Sequence, residues 1–187
     1  MSSFYSLEEL RNIGLKKFGR NVLISRYTRI YHPQNISIGN NVRIDDFCVI
    51  SGSKYITMGD YIHIASHCGL WGNHGITMCD FSNVSSGTKI YSESDDFKGD
   101  YLMGPTVPQK YRNIIKNNEI ILGKHVTIGA NCVVLPGVVL EEGSVVGCGS
   151  LVNKNCESWT IYGGLPAKII GSRNKNVLEL EKQLNRE

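Results

Sequence analysis

Residues 36–55 read ISIGNNVRIDDFCVISGSKY, and the next two blocks of twenty, ITMGDYIHIASHCGLWGNHG (56–75) and ITMCDFSNVSSGTKIYSESD (76–95), repeat its pattern. In each block an aliphatic residue recurs at every sixth position: Ile38, Ile44, Ile50; Met58, Ile64, Leu70; Met78, Val84, Ile90. Two further residues close each block. The register runs back to Phe18, Ile24 and Ile30, so four coils of twenty are visible. Beyond an aperiodic stretch, Leu122, Ile128, Val134, Leu140, Val146 and Val152 lie six apart without insertion, which makes two coils of eighteen.

A six-residue period fits neither the turn of a helix nor the plain alternation of a long strand, so each unit is a short strand followed by a corner. Three such units close one coil. Anchors of successive coils then stack at an inter-strand distance of ~4.8 Å into dry aliphatic columns. The fourth residue after each anchor is compact at Val22, Thr28, Val42, Cys48, Cys68, Ser82, Thr88, Val126, Cys132, Val138, Ser144, Ser150 and Cys156, which predicts a second interior column. Corners carry Gly, Asn, Asp and Ser, which tolerate left-handed backbone angles.

Composition adds bounds. The 187 residues suit one well-filled core, and a formal charge of +3 is too small to argue for a nucleic-acid partner. The start, MSSFYSLEELRNIG, lacks the apolar run of a secretory signal, and no stretch reaches the ~20 apolar residues of a membrane span. A cytoplasmic protein without membrane insertion is expected. Its six cysteines form no C-x-x-C pair and read as small buried residues in a reducing compartment. A single domain over 1–187 divides into an N-terminal cap helix (1–17), four coils (18–95), a long loop (96–119), the last coils (120–171) and a C-terminal helix (172–187). Ser6 to Glu9 forms a capping box with Tyr5 and Leu10 as a staple and Gly14 as the stop, while Val177, Leu180 and Leu184 mark an amphipathic tail, so both ends read as capped.

This repeat resembles that of the hexapeptide-repeat acyltransferases over roughly 18–171. The resemblance implies an all-β, left-handed parallel β-helix with short terminal helices and one excursion loop, assembled as a homotrimer with active sites between subunits. GGLPAKIIG (163–171), after VGCGSLVNKN (146–155), is similar to the ending of the galactoside and maltose acetyltransferases, which implies acetyl-CoA as donor, bound along the last coils. The matching positions are Ala130, Cys148, Asn153, Lys154, Pro166 and Lys168, with the two lysines as phosphate partners.

The same resemblance places a catalytic histidine just before the long loop, but this chain has Tyr91-Ser-Glu-Ser-Asp-Asp-Phe97, with Asp95 at that position. His74, in GNHG (72–75), lies one coil from Ser94 in the twenty-residue register. Asp95 and His74 are therefore the candidate bases for the proton that acyl transfer releases, Asp95 being preferred. His67 matches part of the family's acceptor-binding strand. Asp96 falls in register with Ile36, Ile56 and Ile76, so an acid there is expected to end that apolar column and face the loop or the acceptor. Ser94, Tyr111 and Arg112 complete the acceptor-side candidates, Lys110 and Arg112 being placed for phosphate.

A sugar hydroxyl is a very weak acid and needs a well-placed base, whereas an amine with a pKa near ~8 is partly neutral at pH 7, so loss of the histidine suits an amine acceptor. FYSLEELRNIG, NVRIDDFCVISG and DDFKG…LMGPTVPQKYRN also resemble the dTDP-4-amino-4,6-dideoxyglucose acetyltransferases of O-antigen synthesis. Both arguments lead to N-acetylation of a nucleotide-linked amino sugar by direct amine attack, with no metal. The competing readings are O-acetylation of a sugar or glycan hydroxyl and, as a metal enzyme, a γ-carbonic-anhydrase-like lyase recruiting His63, His67 and His74.

Overall fold

The computed structural model describes residues 3–116 and 118–186. Short strands stack into three sheets of six, eight and six strands, one for each side of a triangular prism, parallel throughout except for the last strand of the eight-stranded sheet. Register follows the sequence repeat: Ile36–Ile38 pairs with Ile56–Met58, and that strand with Ile76–Met78, residue for residue at a step of twenty. The fold is the left-handed parallel β-helix that the family resemblance implied.

All anchors from Ile38 to Val152 are buried, while Phe18 and Ile30, in the first coil, are half-buried because one side lacks a full neighbouring coil. The compact column is also interior. There the Cys48, Cys68 and Cys132 thiols donate to the carbonyls of Ala65, Ser85 and Gly147 in the following coil, each at 3.1 Å. Four cysteines are thus buried as expected, but Cys79 is half-buried and Cys148 exposed. Both stand one or two places after an anchor, on the corner rather than on the interior column.

Not every corner relies on small residues. Tyr61, Phe81, His125 and Trp159 all have positive φ, a conformation that large side chains seldom adopt. They occupy one corner of the prism, with Gly143 between His125 and Trp159, and the first three rings stack: Tyr61 on Phe81 at 4.8 Å, Phe81 on His125 at 5.0 Å. Face-to-face contact of this kind contributes roughly 0.5–1.5 kcal/mol per pair and offsets the backbone cost.

The helix α1 (Leu7–Ile13) covers the first coil with Leu10, its capping box formed by Ser6 and Glu9 and its end by Gly14 at φ 84°. At the other end the sequence reading needs correction. GGLPAK is the turn of an antiparallel hairpin between Thr160–Gly163 and Lys168–Ser172, with a cis Leu165–Pro166 peptide, and only Val177–Leu184 (α2) is helical. Nor does α2 cap the last coil: Glu181 accepts from His125 Nε2 at 2.8 Å and pairs with Lys124, which holds the helix against the side of the prism.

The long loop departs after Asp95, through a short antiparallel ladder of Ser94–Asp95 with Ile114–Lys116. Asp96 therefore does not continue the column of Ile36, Ile56 and Ile76. Ile120 takes that place, paired with Ile76. The twenty-residue count fails here because the chain leaves the prism before completing its coil.

Candidate active site

Ser92, fully buried, clips the GNHG turn to the coil above it: its hydroxyl donates to the Trp71 carbonyl at 2.8 Å and accepts the His74 N–H at 2.9 Å. Gly75 has φ 107°, and a Cβ there would lie 2.4 Å from the Tyr55 ring, so the glycine is required by backbone and space together. His74 is thus a turn residue. Its Nδ1 also lies 3.3 Å from Oε2 of Glu93 without a well-aligned hydrogen bond, and that nitrogen is buried with no hydrogen-bond partner among the described residues.

Asp95 occupies the mouth of the loop. Its Oδ2 accepts the Gly104 N–H at 3.1 Å, and Oδ1 stands 3.6 Å from Nη2 of Arg112, which returns from the far arm of the loop. Three adjoining recesses share Ser94 and Asp95. One is bounded by Leu135, Pro136, Phe97 and Lys98, the second adds Tyr91, Val133 and Met103, and the third contains Trp71, Asn73, Tyr91, Glu93 and Arg112. The first two are mainly apolar and suit a thioester arm; the third is polar at one end and aromatic at the other.

Asp96 is buried and turned into the loop, where its carboxylate accepts the N–H groups of Lys98 and Asp100 at 2.7 Å and of Tyr101 at 2.9 Å. These donors, Lys98 foremost, hold it below the usual carboxylate range. Its side chain shapes the loop start.

Other predicted residues fall into separate groups. His67 sits on the corner at the opposite end of the Gly69–Trp71 strand from GNHG, packed at 5.1 Å on Phe47, and within one chain it lines none of the three recesses. Tyr111 is exposed, with Lys110 Nζ 4.7 Å from its ring centre. Ala130 and Cys148 share a corner, joined by the Gly149 N–H to the Ala130 carbonyl at 2.8 Å. Asn153 and Lys154 lie on the next corner, and Pro166 and Lys168 in the hairpin, whose Ala167 N–H donates to the Leu151 carbonyl at 2.8 Å. The three histidines of the metal reading have separate surroundings: His63 pairs with Asp45 at 2.8 Å, His67 with Phe47 and His74 with Glu93. Among the described residues no group of three or more His, Cys, Asp or Glu side chains is placed to hold a metal ion.

Sequence reasoning missed Glu93, Trp71, Leu135 and Pro136. Trp71 and Tyr91 stand twenty apart in one register, so their stacking was available from the repeat. Leu135 reaches Asp95 only because the loop is excised from the coil count, which no fixed period reveals.

Residues 119–154 match the model of the bacterial transferase hexapeptide (six repeats), which defines the class. Over 174 residues, 92% of this chain and 90% of the relative, the sequence is 46% identical to the dTDP-4-amino-4,6-dideoxy-D-glucose acyltransferase of Escherichia coli. The fold superposes with a TM-score of 0.96 and 49% identity on a point mutant of AntD, an N-acyltransferase from Bacillus cereus, solved with dTDP and coenzyme A, over 100% of this chain and 99% of that one. Further AntD structures carry dTDP-4-amino-4,6-dideoxyglucose with coenzyme A, or dTDP with 3-hydroxybutyryl-CoA. A putative lipopolysaccharide biosynthesis O-acetyl transferase of Escherichia coli, WbbJ, is 34% identical over 83 residues, 44% of this chain and 42% of its own length. The chain belongs to the dTDP-4-amino-4,6-dideoxyglucose acyltransferase family of hexapeptide-repeat transferases, and is an acyltransferase.

Proposed function

We propose that the chain transfers an acetyl group from acetyl-CoA to the amine of a dTDP-4-amino-4,6-dideoxyglucose-type sugar nucleotide, in the cleft at Asp95. The observation that carries this is the placement of Asp95, a half-buried carboxylate common to three adjoining recesses, where the family resemblance expects a histidine. The neutral amine attacks the thioester carbon, the C–S bond breaks, and coenzyme A leaves as a thiolate that takes up a proton. Asp95 accepts the proton lost by the amine, held in place by Gly104 N–H and by Arg112. His74, beside Glu93, supports the polar side of the cleft.

The transfer is direct, without an acyl-cysteine: among the described residues no cysteine lines the three recesses at Asp95, and Cys48, Cys68, Cys132 and Cys156 are buried inside the prism. Coenzyme A lies along the last coils, against Ala130, Cys148, Asn153, Lys154, Pro166 and Lys168. Tyr111 contacts the acceptor from the loop, while Ser94, Asp96 and His67 shape its surroundings. A homotrimer completes each site between subunits, a reading supported by the exposed apolar side chains Phe97, Leu102 and Met103 on the loop and Leu165, Ile169 and Ile170 on the hairpin. The work is done in the cytoplasm and the product feeds a surface polysaccharide of the O-antigen kind, which the similarity to WbbJ supports.

Release of the coenzyme A thiol tests the assignment. Turnover is expected with dTDP-4-amino-4,6-dideoxyglucose and acetyl-CoA, and none with simple galactosides. Galactoside turnover alone assigns O-acetylation instead, and faster transfer from 3-hydroxybutyryl-CoA than from acetyl-CoA replaces the donor.

A further inference from the structure

Positive charge in this chain is gathered at one end. Residues 3–32, the N-terminal cap and the first coil, hold six Lys and Arg against two Glu, a formal +4, while the whole chain carries only +3. The remaining coils, loop and tail are together close to neutral. All three strands of the first coil, Lys17–Phe18, Leu23–Ile24 and Arg29–Tyr31, are terminal in their sheets, so they form the rim of the prism's end, which α1 covers. Arg26 pairs there with Glu9. Arg11, Lys16, Lys17, Arg20 and Arg29 are exposed and form no ion pair among the described residues, although Arg20 is partly offset by the Asp60 carboxylate. Apolar side chains stand uncovered at the same end: Leu7 on α1 is 57% exposed and Tyr27 61%.

Lysines on terminal strands also discourage edge-to-edge pairing. That role requires bases on the strands alone, whereas Arg11 stands on α1 and Lys16 precedes the first strand. Lys17, Arg20 and Arg29 are spread around the rim, on the first sheet, the corner after it and the third sheet. A plane of charge meets such a rim better than the line of phosphates along a nucleic acid, and it also repels a second copy of the same end. Exposed Leu and Tyr side chains beside bases suit adsorption at headgroup depth. The open backbone groups of terminal strands oppose deeper entry.

We propose that the first coil and its cap form a docking surface for an anionic lipid bilayer, which the protein touches with this end of the prism and does not penetrate. The surface lies within one chain and is independent of the acceptor assignment. The homotrimer proposed above repeats it three times in one plane, as any cyclic assembly does, and so multiplies a weak contact. Asp95 closes the fourth coil, which leaves its recesses clear of the docked end.

Flotation of the full chain with phosphatidylcholine vesicles containing about one-third phosphatidylglycerol, against vesicles of phosphatidylcholine alone, tests this. The wild type is expected to bind only the anionic vesicles, and less as salt rises. The triple variant Arg11→Gln, Lys16→Gln, Lys17→Gln is expected to bind at least about tenfold more weakly, with melting temperature and acyl transfer in solution unchanged. A tail variant, Lys175→Gln with Lys182→Gln, is expected to bind as the wild type does. Equal binding by the wild type and the triple variant overturns the proposal, as does an equal loss in the tail variant. A wild type that ignores both vesicles but binds polyglutamate or duplex DNA through Arg11, Lys16 and Lys17 overturns it in favour of a macromolecular partner. Aggregation of the triple variant, with undiminished vesicle binding by its soluble fraction, overturns it in favour of edge protection.

Discussion

Asp95 and His74 both stand near the loop mouth, but their partners differ. Asp95 opens into all three recesses at the loop mouth, and it accepts the Gly104 N–H and stands 3.6 Å from the Arg112 guanidinium. His74 is tied by its own backbone to Ser92, and its Nδ1 faces Glu93. In steady-state kinetics with the dTDP-linked amine, Asp95→Asn is expected to lower kcat about 10²-fold or more, the lower range for loss of a positioned base, and His74→Asn less than tenfold. The reverse order transfers the base role to His74. At this scale the sequence was informative about identity and less so about surroundings: Asp95 stood out because a histidine was missing, and Glu93 lies in the twenty-residue register of Asn73 beside His74, whereas Arg112 meets Asp95 through a loop fold that no periodicity describes.

The elements were legible where one local rule governed them. The capping box of α1 and the aliphatic anchors appear where spacing placed them, because each depends on side chains a few residues apart. The tail failed as a cap because its docking is set by a distant charge cluster, Glu181 against Lys124 and His125. Lys124, followed by His125, holds the Glu181 carboxyl below its usual range. A carboxylate with a lowered folded pKa stabilises docking above its unfolded value and loses that contribution as pH falls through the folded one. Hydrogen exchange in α2 is therefore expected to rise as pH drops below about 4.5, after correction for intrinsic rates, and Glu181→Gln to show the faster exchange already at pH 7. Equal protection in wild type and variant removes this tether. Within the compact column, the buried Ser144 hydroxyl has no hydrogen-bond partner among the described residues. Ser144→Ala is expected to raise the unfolding free energy by about 1 kcal/mol in denaturant titration, and a loss of that size refutes the unsatisfied hydroxyl.

For the whole molecule, a stacked prism explains why the repeat was so readable: each coil meets only its neighbours, so one pattern dictates all of them. What the repeat does not encode is what lies outside it. The excursion loop and the hairpin at Pro166 carry the exposed apolar groups on which the proposed site and assembly rest. None of the described helices is long and apolar enough to cross a membrane. Sedimentation is expected to give a particle of about three times 20.8 kDa, and a stable particle of that single mass excludes sites shared between subunits. The most direct measurement of the central claim is a crystal structure with coenzyme A and dTDP-4-amino-4,6-dideoxyglucose bound together. The sugar amine is predicted within about 3 Å of the Asp95 carboxylate and facing the coenzyme A sulfur; an amine held elsewhere, with Asp95 contacting neither ligand, contradicts the account.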